Sequence, residues 1–255
     1  MLKELDHPNV VKYYDLIETF KETDDDDSIQ TDSDSASTNT TDTASSLASY
    51  RSSDDGKIFL VMEWLGEGTN LSKAHLTAEQ RKSVLKQLLE SLVYLHEKGI
   101  AHHDIKPDNI IYCPQNDKLT LIDFGVAERC PNDESFCGFG TPAYQPPELV
   151  HRQSAEEQIS GSKADVWSAG IVAFQLASET FDLPFEGDTV YAVFESIVKS
   201  PIPFHTVKDP KLRALLGGML EKNPKHRLSA AEALQQAYFT DRKLSLWTRI
   251  KNYLL

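Results

Sequence analysis

The stretch "AHHDIKPDNI", residues 101–110, sets an aspartate, a lysine and an asparagine at fixed offsets behind two histidines. The side chains at issue are His102, His103, Asp104, Lys106 and Asn109. Three interpretations are open for such a stretch: a metal site built on the two histidines, an ordinary turn, or a catalytic loop. The offsets of the two histidines fit no zinc pattern, which disfavours a metal site.

The apolar pattern around this stretch predicts a helix before it and a hairpin after it. Thr77 and Gln80 form a candidate capping box, apolar residues then recur at helical spacing, and Gly99 ends the helix. The runs "NIIY" and "LTLIDFG" predict two short strands, and "SKADVWSAGIVAFQLAS" predicts a buried central helix. Further patterns predict strands within residues 10–19 and 57–65, and helices within 189–200, 210–221 and 229–237.

The net charge of -13 over 255 residues is concentrated in residues 21–56, which carry ten acids and two bases. This segment has almost no large apolar residues, so it cannot offset its ordering entropy and is predicted to be disordered. It is either a solvated surface insertion or a phosphorylation target, since Thr23, Thr31 and Ser52 each have an acid three residues on. The acidic balance argues against nucleic acid as a partner.

The three cysteines, Cys113, Cys130 and Cys137, are too few and too scattered for a disulfide framework or a four-ligand zinc site. We interpret them as reduced thiols of an intracellular protein. The sequence has no apolar run near the roughly 18 residues of a membrane helix, and its start lacks the apolar region of a signal peptide. The expected compartment is the cytoplasm, with the nucleus as an alternative, and no membrane partner is expected.

Four further motifs follow the quoted loop in order. They are "DFG" (Asp123, Phe124, Gly125), "GTPAYQPPE" at 140–148, "DVWSAG" at 165–170 and "NPKHR" at 223–227. Each motif is weak alone, but all five together leave little room for chance. With the H-x-D-x-K-x-x-N pattern of the loop, they resemble the eukaryotic serine/threonine protein kinases.

This resemblance implies an α+β, protein-kinase-like fold with a complete, mainly helical C-lobe and a partial β N-lobe. The expected domains are the partial N-lobe at 1–64, interrupted by the insertion at 21–56, the C-lobe at 65–240 and a tail at 241–255. The tail sequence "LWTRIKNYLL" is either an amphipathic docking helix or an ordinary last helix.

The resemblance also implies roles for the residues of the loop. Asp104 would orient the substrate hydroxyl and accept its proton, and Lys106 would neutralise charge on the transferred phosphate. Asn109 and Asp123 would hold Mg²⁺, a hard ion that prefers oxygen ligands. A lysine at that place, together with Thr141 in "GTP", is typical of serine/threonine kinases rather than tyrosine kinases.

ATP is the phosphate donor that the resemblance implies. Met62, Glu63 and Leu65 would fall at the hinge between the lobes, where backbone groups of Glu63 and Leu65 would meet the adenine. Ile111 would lie beneath the adenine ring.

Other matching positions are structural. Glu148 and Arg227 would form a buried ion pair, and Asp165 would cap the backbone of the catalytic loop. A hydrophobic spine is implied to contain Leu2, Tyr13, His102 and Phe124.

Most protein kinases have an arginine at the place of His103, where it pairs with a phosphate on the activation loop. Counting back from Thr141, the phosphorylated residue would fall at Cys137, which cannot take that modification. Both halves of the phosphate switch are therefore missing. Either the two changes are unrelated, or the loop is ordered by something other than its own phosphate.

The runs "GTPAYQPPELV", "LPFEGDTVYAVFESI" and "FGVAE" resemble the liver kinase B group of upstream kinases, with the calcium/calmodulin-dependent kinase kinases as the alternative. The liver kinase B group has a lysine in place of the arginine and is activated by a pseudokinase and a scaffold protein. The implied substrates are proteins, including the activation loops of downstream kinases. Two departures are the phenylalanine of "DFG", where that group has leucine, and the longer acidic insertion.

The sequence contains no glycine-rich loop, strand lysine or helix glutamate of a kinase N-lobe. Since "LKELDHPNVV" resembles the end of the glutamate-bearing helix, we expect the chain to be truncated at its N-terminus. Two functions stay open: a serine/threonine kinase whose isolated chain is inactive, and a catalytically inactive binding module. A metal-dependent hydrolase would not need the other kinase motifs, and we discard it.

Overall fold

The structure is a computed structural model that describes residues 2–19, 57–135, 140–152 and 157–240. Three sequence-based predictions lie outside the described residues: the disordered insertion at 21–56, the position of Cys137 and the tail at 241–255.

Short strands and longer helices make up a mixed α+β chain. Within the described residues the strands are β1 (Tyr13–Thr19), β2 (Lys57–Met62), β3 (Thr69–Asn70), β4 (Ile100–Ala101), β5 (Ile110–Cys113), β6 (Lys118–Leu121), β7 (Glu128–Arg129), β8 (Glu134–Ser135) and β9 (Ile159–Ser160). The helices there are α1 (Ala78–Glu97), α2 (Pro147–Val150), α3 (Gly161–Ala177), α4 (Val190–Lys199), α5 (Pro210–Met219), α6 (Ala230–Leu234) and α7 (Ala237–Thr240).

The chain divides into two compact units, and the smaller one is Tyr13–Met62. Its described part is an antiparallel pair of β1 and β2 with a bulge near the start of β1. The first predicted strand begins later than residue 10 because Val10 and Val11 pair elsewhere. Val10 forms a parallel bridge with Leu121, and the Val11 N–H donates to the Leu121 carbonyl at 2.9 Å.

The larger unit combines Met1–Lys12 with Glu63–Leu255, and its core lies between α1 and α3. The predicted capping box of α1 is confirmed, since the Gln80 N–H donates to Thr77 Oγ1 and the Thr77 N–H donates to Gln80 Oε1. One face of α1 is buried, whereas α3 is buried nearly all round, as its apolar sequence predicts. Gly99 has a left-handed backbone (φ 63) just after α1, a conformation that favours glycine.

Small sheets in the larger unit position the loop at 102–109. The predicted hairpin is confirmed as β5 and β6, and β3 joins it on the other side of β5. The loop connects β4 to β5, β4 pairs with β7, and β8 pairs with β9. Both ends of the loop are therefore fixed by strand pairing.

Candidate active site

A buried carboxylate fixes the start of the loop. Asp165 of α3 is fully buried, and its two oxygens accept hydrogen bonds from the backbone N–H groups of His102 and His103, both at 2.8 Å. His96, in the last turn of α1, adds a contact of 2.9 Å to the same carboxylate. Burial raises the pKa of Asp165, but the hydrogen bond from His96 and the nearby histidines lower it more, and the pKa falls to about 2. Asp165 is therefore an ionised cap for the loop backbone.

The carboxylate of Asp104 is surrounded by three polar side chains. Lys106 Nζ lies 2.7 Å from Oδ2, and the Asn109 amide donates to the same oxygen at 2.9 Å. The other oxygen accepts from the Thr141 N–H at 3.1 Å and from the Thr141 hydroxyl at 2.8 Å. Lys106 also donates to Thr141 Oγ1 at 2.9 Å. The structure thus brings four of the predicted site residues into one network.

The network determines the charge of Asp104. Burial raises the pKa of this carboxyl, but the hydrogen bonds from Lys106 and Thr141 and the lysine charge lower it more, so its pKa lies below the usual aspartate value. The side chain of Asp104 is 13% exposed and that of Lys106 is 22% exposed. The site therefore presents an ionised carboxylate and a cation side by side, both within reach of a bound molecule.

Asn109 links this network to the strand that precedes Asp123. Its amide nitrogen donates twice to Asp104, to the backbone carbonyl and to the carboxylate, both at 2.9 Å. Its backbone carbonyl accepts from the Ile122 N–H at 2.9 Å. Asp123 follows with a left-handed backbone (φ 61), and its Oδ1 accepts from the Gly125 N–H at 3.1 Å.

His102 is a buried scaffold residue. Its Nε2 lies 3.0 Å from the Ile122 carbonyl and must donate to it, while its Nδ1 accepts from the Asp104 N–H at 3.3 Å. This pattern requires a neutral ring, and burial also lowers the pKa of His102. The ring packs edge-on against Phe124 with centroids 4.7 Å apart.

The side chain of His103 contacts the segment that follows Asp123. Its backbone is left-handed (φ 65), and its Nε2 lies 3.0 Å from the Ser135 hydroxyl and 3.6 Å from Glu128 Oε2. The same hydroxyl donates to Glu128 Oε2 at 2.6 Å. Gly140 passes so close that an added Cβ would lie 2.6 Å from the His103 carbonyl oxygen. His103 therefore has neutral and acidic partners within the chain.

Two further groups of predicted residues form contacts of their own. Glu148 and Arg227 are joined by two hydrogen bonds, at 2.7 and 2.8 Å. Of the predicted adenine contacts, Met62 ends β2 in the smaller unit, whereas Glu63, Leu65 and Ile111 belong to the larger unit. The Glu63 N–H donates to the Lys12 carbonyl, the Leu65 carbonyl accepts from Gly68, and Ile111 pairs with Asn70 and Thr120.

The sequence that forms this site matches a known protein family. The model of the protein kinase domain matches residues 1–239, which include the whole loop, the Asp-Phe-Gly motif and Arg227. The chain belongs to the protein kinase family. The α+β class expected from the resemblance is confirmed with it.

Several serine/threonine kinases are similar to this kinase chain. It is 36% identical over 187 residues to "Serine/threonine-protein kinase stk11 homolog" of Dictyostelium discoideum, covering 69% of this chain and 31% of that protein. It is 32% identical over 253 residues to "Serine/threonine-protein kinase ppk34" of Schizosaccharomyces pombe, covering 95% and 60%. It is 34% identical over 192 residues to "Serine/threonine-protein kinase STK11" of Mus musculus, covering 72% and 43%.

These comparisons confirm the resemblance to the liver kinase B group, to which the STK11 proteins belong. The chain spans less than two thirds of the length of each of these three relatives. Among the described residues, no helix is both long and apolar enough to cross a membrane.

Three residues of this site belong to none of the five sequence motifs. His96 contacts Asp165, and Glu128 and Cys130 lie beside His103. The antiparallel pairing of β4 with β7, which sets Ala101 opposite Glu128, brings the last two there. A two-residue strand gives little alternation to detect, so the sequence carried no clear signal for this pairing.

Proposed function

We propose that this kinase domain transfers the γ-phosphate of ATP to serine or threonine hydroxyls of protein substrates. The observation that carries the proposal is the contact of 2.7 Å between Lys106 and the ionised Asp104 carboxylate, with Thr141 bonded to both. Phosphoryl transfer needs little covalent help from the protein, and catalysis is mostly positioning plus neutralisation of charge. This network contains one group for each task.

Asp104 is the group that would orient the substrate hydroxyl and accept its proton. Its lowered pKa keeps it ionised, so it can accept a hydrogen bond from a hydroxyl. Lys106 would turn from Asp104 toward the transferred phosphate and neutralise its charge. Thr141 supports serine and threonine as the phosphorylated residues, because its hydroxyl holds Lys106 in the arrangement typical of serine/threonine kinases.

Asn109 and Asp123 are the residues that would hold Mg²⁺. The amide nitrogen of Asn109 is engaged twice by Asp104, which leaves its amide oxygen as the atom for a cation. Asp123 adds a carboxylate, so both donors are oxygens, as a hard cation requires. Mg²⁺ bound there would neutralise charge on the phosphates of ATP.

The adenine of ATP would be met by backbone groups of Glu63 and Leu65 in the larger unit, with Ile111 beneath the ring; Met62 directly precedes Glu63 in the sequence. The Glu63 side chain accepts from the Lys12 N–H at 2.9 Å, and its own N–H donates to the Lys12 carbonyl at 2.9 Å. These two bonds fix the backbone at Glu63, which supports a role for this backbone in holding the adenine.

Activation by partner docking rather than by loop phosphorylation is the second element of the proposal. His103 cannot form the permanent bidentate contact that an arginine gives a phosphate. It contacts the buried Ser135 hydroxyl instead, which supports an arrangement of the segment without phosphate. We propose a pseudokinase and a scaffold protein as the activating partners. The proposed substrates are the activation loops of downstream kinases. The proposed compartment is the cytoplasm or the nucleus.

The experiment compares wild type with Asp104→Asn, each expressed in the source cells and assayed with Mg-ATP and peptides bearing Ser, Thr or Tyr. Loss of the carboxylate should lower kcat about 10²- to 10⁴-fold, the usual contribution of a positioned base. Phosphate should appear on Ser or Thr peptides and not on Tyr peptides. As a matched control, Glu195→Gln makes the same acid-to-amide change in α4 and should keep the wild-type rate.

The assay also separates the proposal from the alternative of an inactive binding module. If wild-type protein and its partners bind substrate but transfer no phosphate, the chain is a binding module. If Asp104→Asn retains the wild-type rate, Asp104 does not have the proposed role.

A further inference from the structure

A second cluster of ionisable side chains contains His103, the residue that precedes Asp104 in the loop. His103, Glu128 and Cys130 each offer one atom that can ligate a metal, and these atoms all lie within 4.8 Å of one another. The donors are an imidazole nitrogen, a carboxylate oxygen and a thiol sulfur. The two oxygen donors at Asn109 and Asp123 suit a hard ion, whereas this mixed set suits a softer one.

The geometry of the cluster is held by the backbone. His103 is fixed by its N–H bond to Asp165, and its side chain is only 3% exposed. The Cys130 N–H donates to the Gly99 carbonyl at 2.7 Å, which continues the pairing of β4 with β7. Gly161, the first residue of α3, closes one side, because a Cβ there would lie 3.1 Å from Cys130 Sγ and 3.4 Å from the His103 ring.

The hydroxyl of Ser135 contacts two of the three candidate ligands. It is 3.0 Å from His103 Nε2 and 2.6 Å from Glu128 Oε2. The thiol of Cys130 lies 3.7 Å from the carbonyl oxygen of Glu128. The three candidate ligands are therefore linked by short polar contacts around one small hydroxyl.

We propose that His103, Glu128 and Cys130 form a binding site for Zn²⁺, with the Ser135 hydroxyl or a water as the fourth ligand. Imidazole, thiolate and carboxylate are the three donor types that proteins use for zinc, and a tetrahedral site needs four ligands. Glu128 Oε2 and His103 Nε2 are 3.6 Å apart, a separation that two ligands of one ion can adopt.

The thiol and the carboxylate have different parts in this site. Cys130 would bind the ion as a thiolate and release its proton on binding. The Glu128 side chain is 32% exposed, so this ligand is accessible from solvent. An ion at this place would join the loop that carries Asp104 to the segment that follows the Asp-Phe-Gly motif.

The test is a titration of the purified 255-residue chain with Co²⁺, a spectroscopic substitute for Zn²⁺, in a reductant that contains no thiol. A thiolate bound to Co²⁺ gives a charge-transfer absorption that oxygen ligands do not give, so the Asn109 and Asp123 site cannot produce the signal. We expect this absorption in wild type, its loss on addition of Zn²⁺, and a rise in melting temperature with Zn²⁺. Absence of the absorption in wild type would overturn the proposal.

The variants identify the ligands. Cys130→Ser should abolish the absorption, and the matched control Cys113→Ser, in β5, should retain it. Cys137→Ser should also retain it. Retention in Cys130→Ser, or loss in Cys113→Ser or Cys137→Ser instead, would contradict the site.

Glu128→Gln keeps the test decisive if Cys130→Ser fails to fold, because Glu128 is partly exposed. It should weaken Co²⁺ binding by about tenfold or more while the circular dichroism stays unchanged. Ser135→Ala should leave the thiolate absorption in place, since water can occupy the fourth position. Unchanged affinity in Glu128→Gln would count against the proposed ligand set.

Discussion

The guanidinium of Arg227 forms two parallel hydrogen bonds with the carboxylate of Glu148, at 2.7 and 2.8 Å. Arg227 is also 5.0 Å from the Trp167 ring centre and donates to the Lys163 carbonyl at 2.8 Å, with its own side chain fully buried. Glu148→Gln would leave this buried charge without its counter-ion. We expect it to lower the free energy of unfolding by about 3 kcal/mol, measured by urea denaturation.

An exposed ion pair provides the control for that prediction. On α4, Lys199 Nζ lies 2.5 Å from Glu195 Oε1, and both side chains are exposed to solvent. Water and salt screen such a pair, so Glu195→Gln should leave the urea midpoint unchanged. Equal midpoints for the two variants would mean that the Glu148 pair does not stabilise the fold.

Asp165→Asn should remove stability that depends on pH. The pKa of this buried carboxyl is lowered from the ordinary value of 3.8 to about 2. A lowered folded-state pKa contributes stability that is present above pH 4 and is lost as the pH falls toward 2. The contribution at pH 7 is roughly 2 kcal/mol, and the variant loses it together with the cap on the loop.

The measurement is urea denaturation of wild type and Asp165→Asn at pH 7, 5, 4 and 3. The difference in the free energy of unfolding should be constant from pH 7 to 5 and should shrink below pH 4. Because both proteins contain every other acidic group, the difference isolates Asp165. A difference that stays constant down to pH 3 would show that the charge of Asp165 is not what stabilises the loop.

Gly140→Ala should damage the active site without touching a catalytic group. Gly140 has φ 126, which an L side chain rarely adopts, and a Cβ there would lie 2.6 Å from the His103 carbonyl oxygen. The chain must shift, and Thr141 would move off Asp104. A displacement of about 1 Å in a catalytic arrangement costs about a hundredfold in rate, so we expect kcat/KM to fall by about that factor.

Gly217→Ala is the matched control for this substitution. Gly217 lies inside α5, and beyond its own helical neighbours no atom of the described residues lies within 4 Å of a Cβ built there. The change should raise the free energy of unfolding by about 0.5–1 kcal/mol, because alanine loses less conformational entropy in a helix, and should leave kcat/KM unaltered. If Gly140→Ala behaves like Gly217→Ala, the close approach to His103 has no role.

The long periodic elements of this fold could be predicted from sequence because their signals are local. Each of these signals depends on residues that are close in the sequence: the capping box at Thr77, the apolar face of α1 and the all-round apolar surface of α3. The network of Asp104, Lys106 and Asn109 was also predictable, since the three residues lie in one short loop. Their roles, by contrast, came from family resemblance and not from spacing.

The surroundings of His103 could not be predicted in the same way. Its neighbours Glu128 and Ser135 lie in two-residue strands whose pairing depends on tertiary packing, and Cys130 comes directly after the first of them. From the sequence, either the changes at His103 and Cys137 are unrelated, or the loop is ordered by something other than its own phosphate. The structure shows a contact of 3.0 Å between Ser135 and His103 within the chain.

Kinase activity should not depend on phosphate in the activation loop. A phosphate there needs a fixed cation to receive it and a hydroxyl to accept it, and this chain has His103 and Cys137 in those places. Ser135, the hydroxyl that contacts His103, is fully buried, and a phosphate on it would face Glu128. Protein from source cells should therefore keep its rate after phosphatase treatment, whereas adding a pseudokinase-like partner should raise the rate without changing the phosphorylation state.

Rebuilding both halves of the switch provides the converse experiment. His103→Arg together with Cys137→Thr supplies a permanent cation and an acceptor, so the double variant should become sensitive to phosphatase. Either single variant lacks one half and should stay insensitive, which makes the two singles matched controls for the double. A large loss of wild-type activity on phosphatase treatment would refute phosphate-independent activation. Full activity of the isolated wild type would instead refute the need for a partner, because the contact between His103 and Ser135 would then be enough to order the loop.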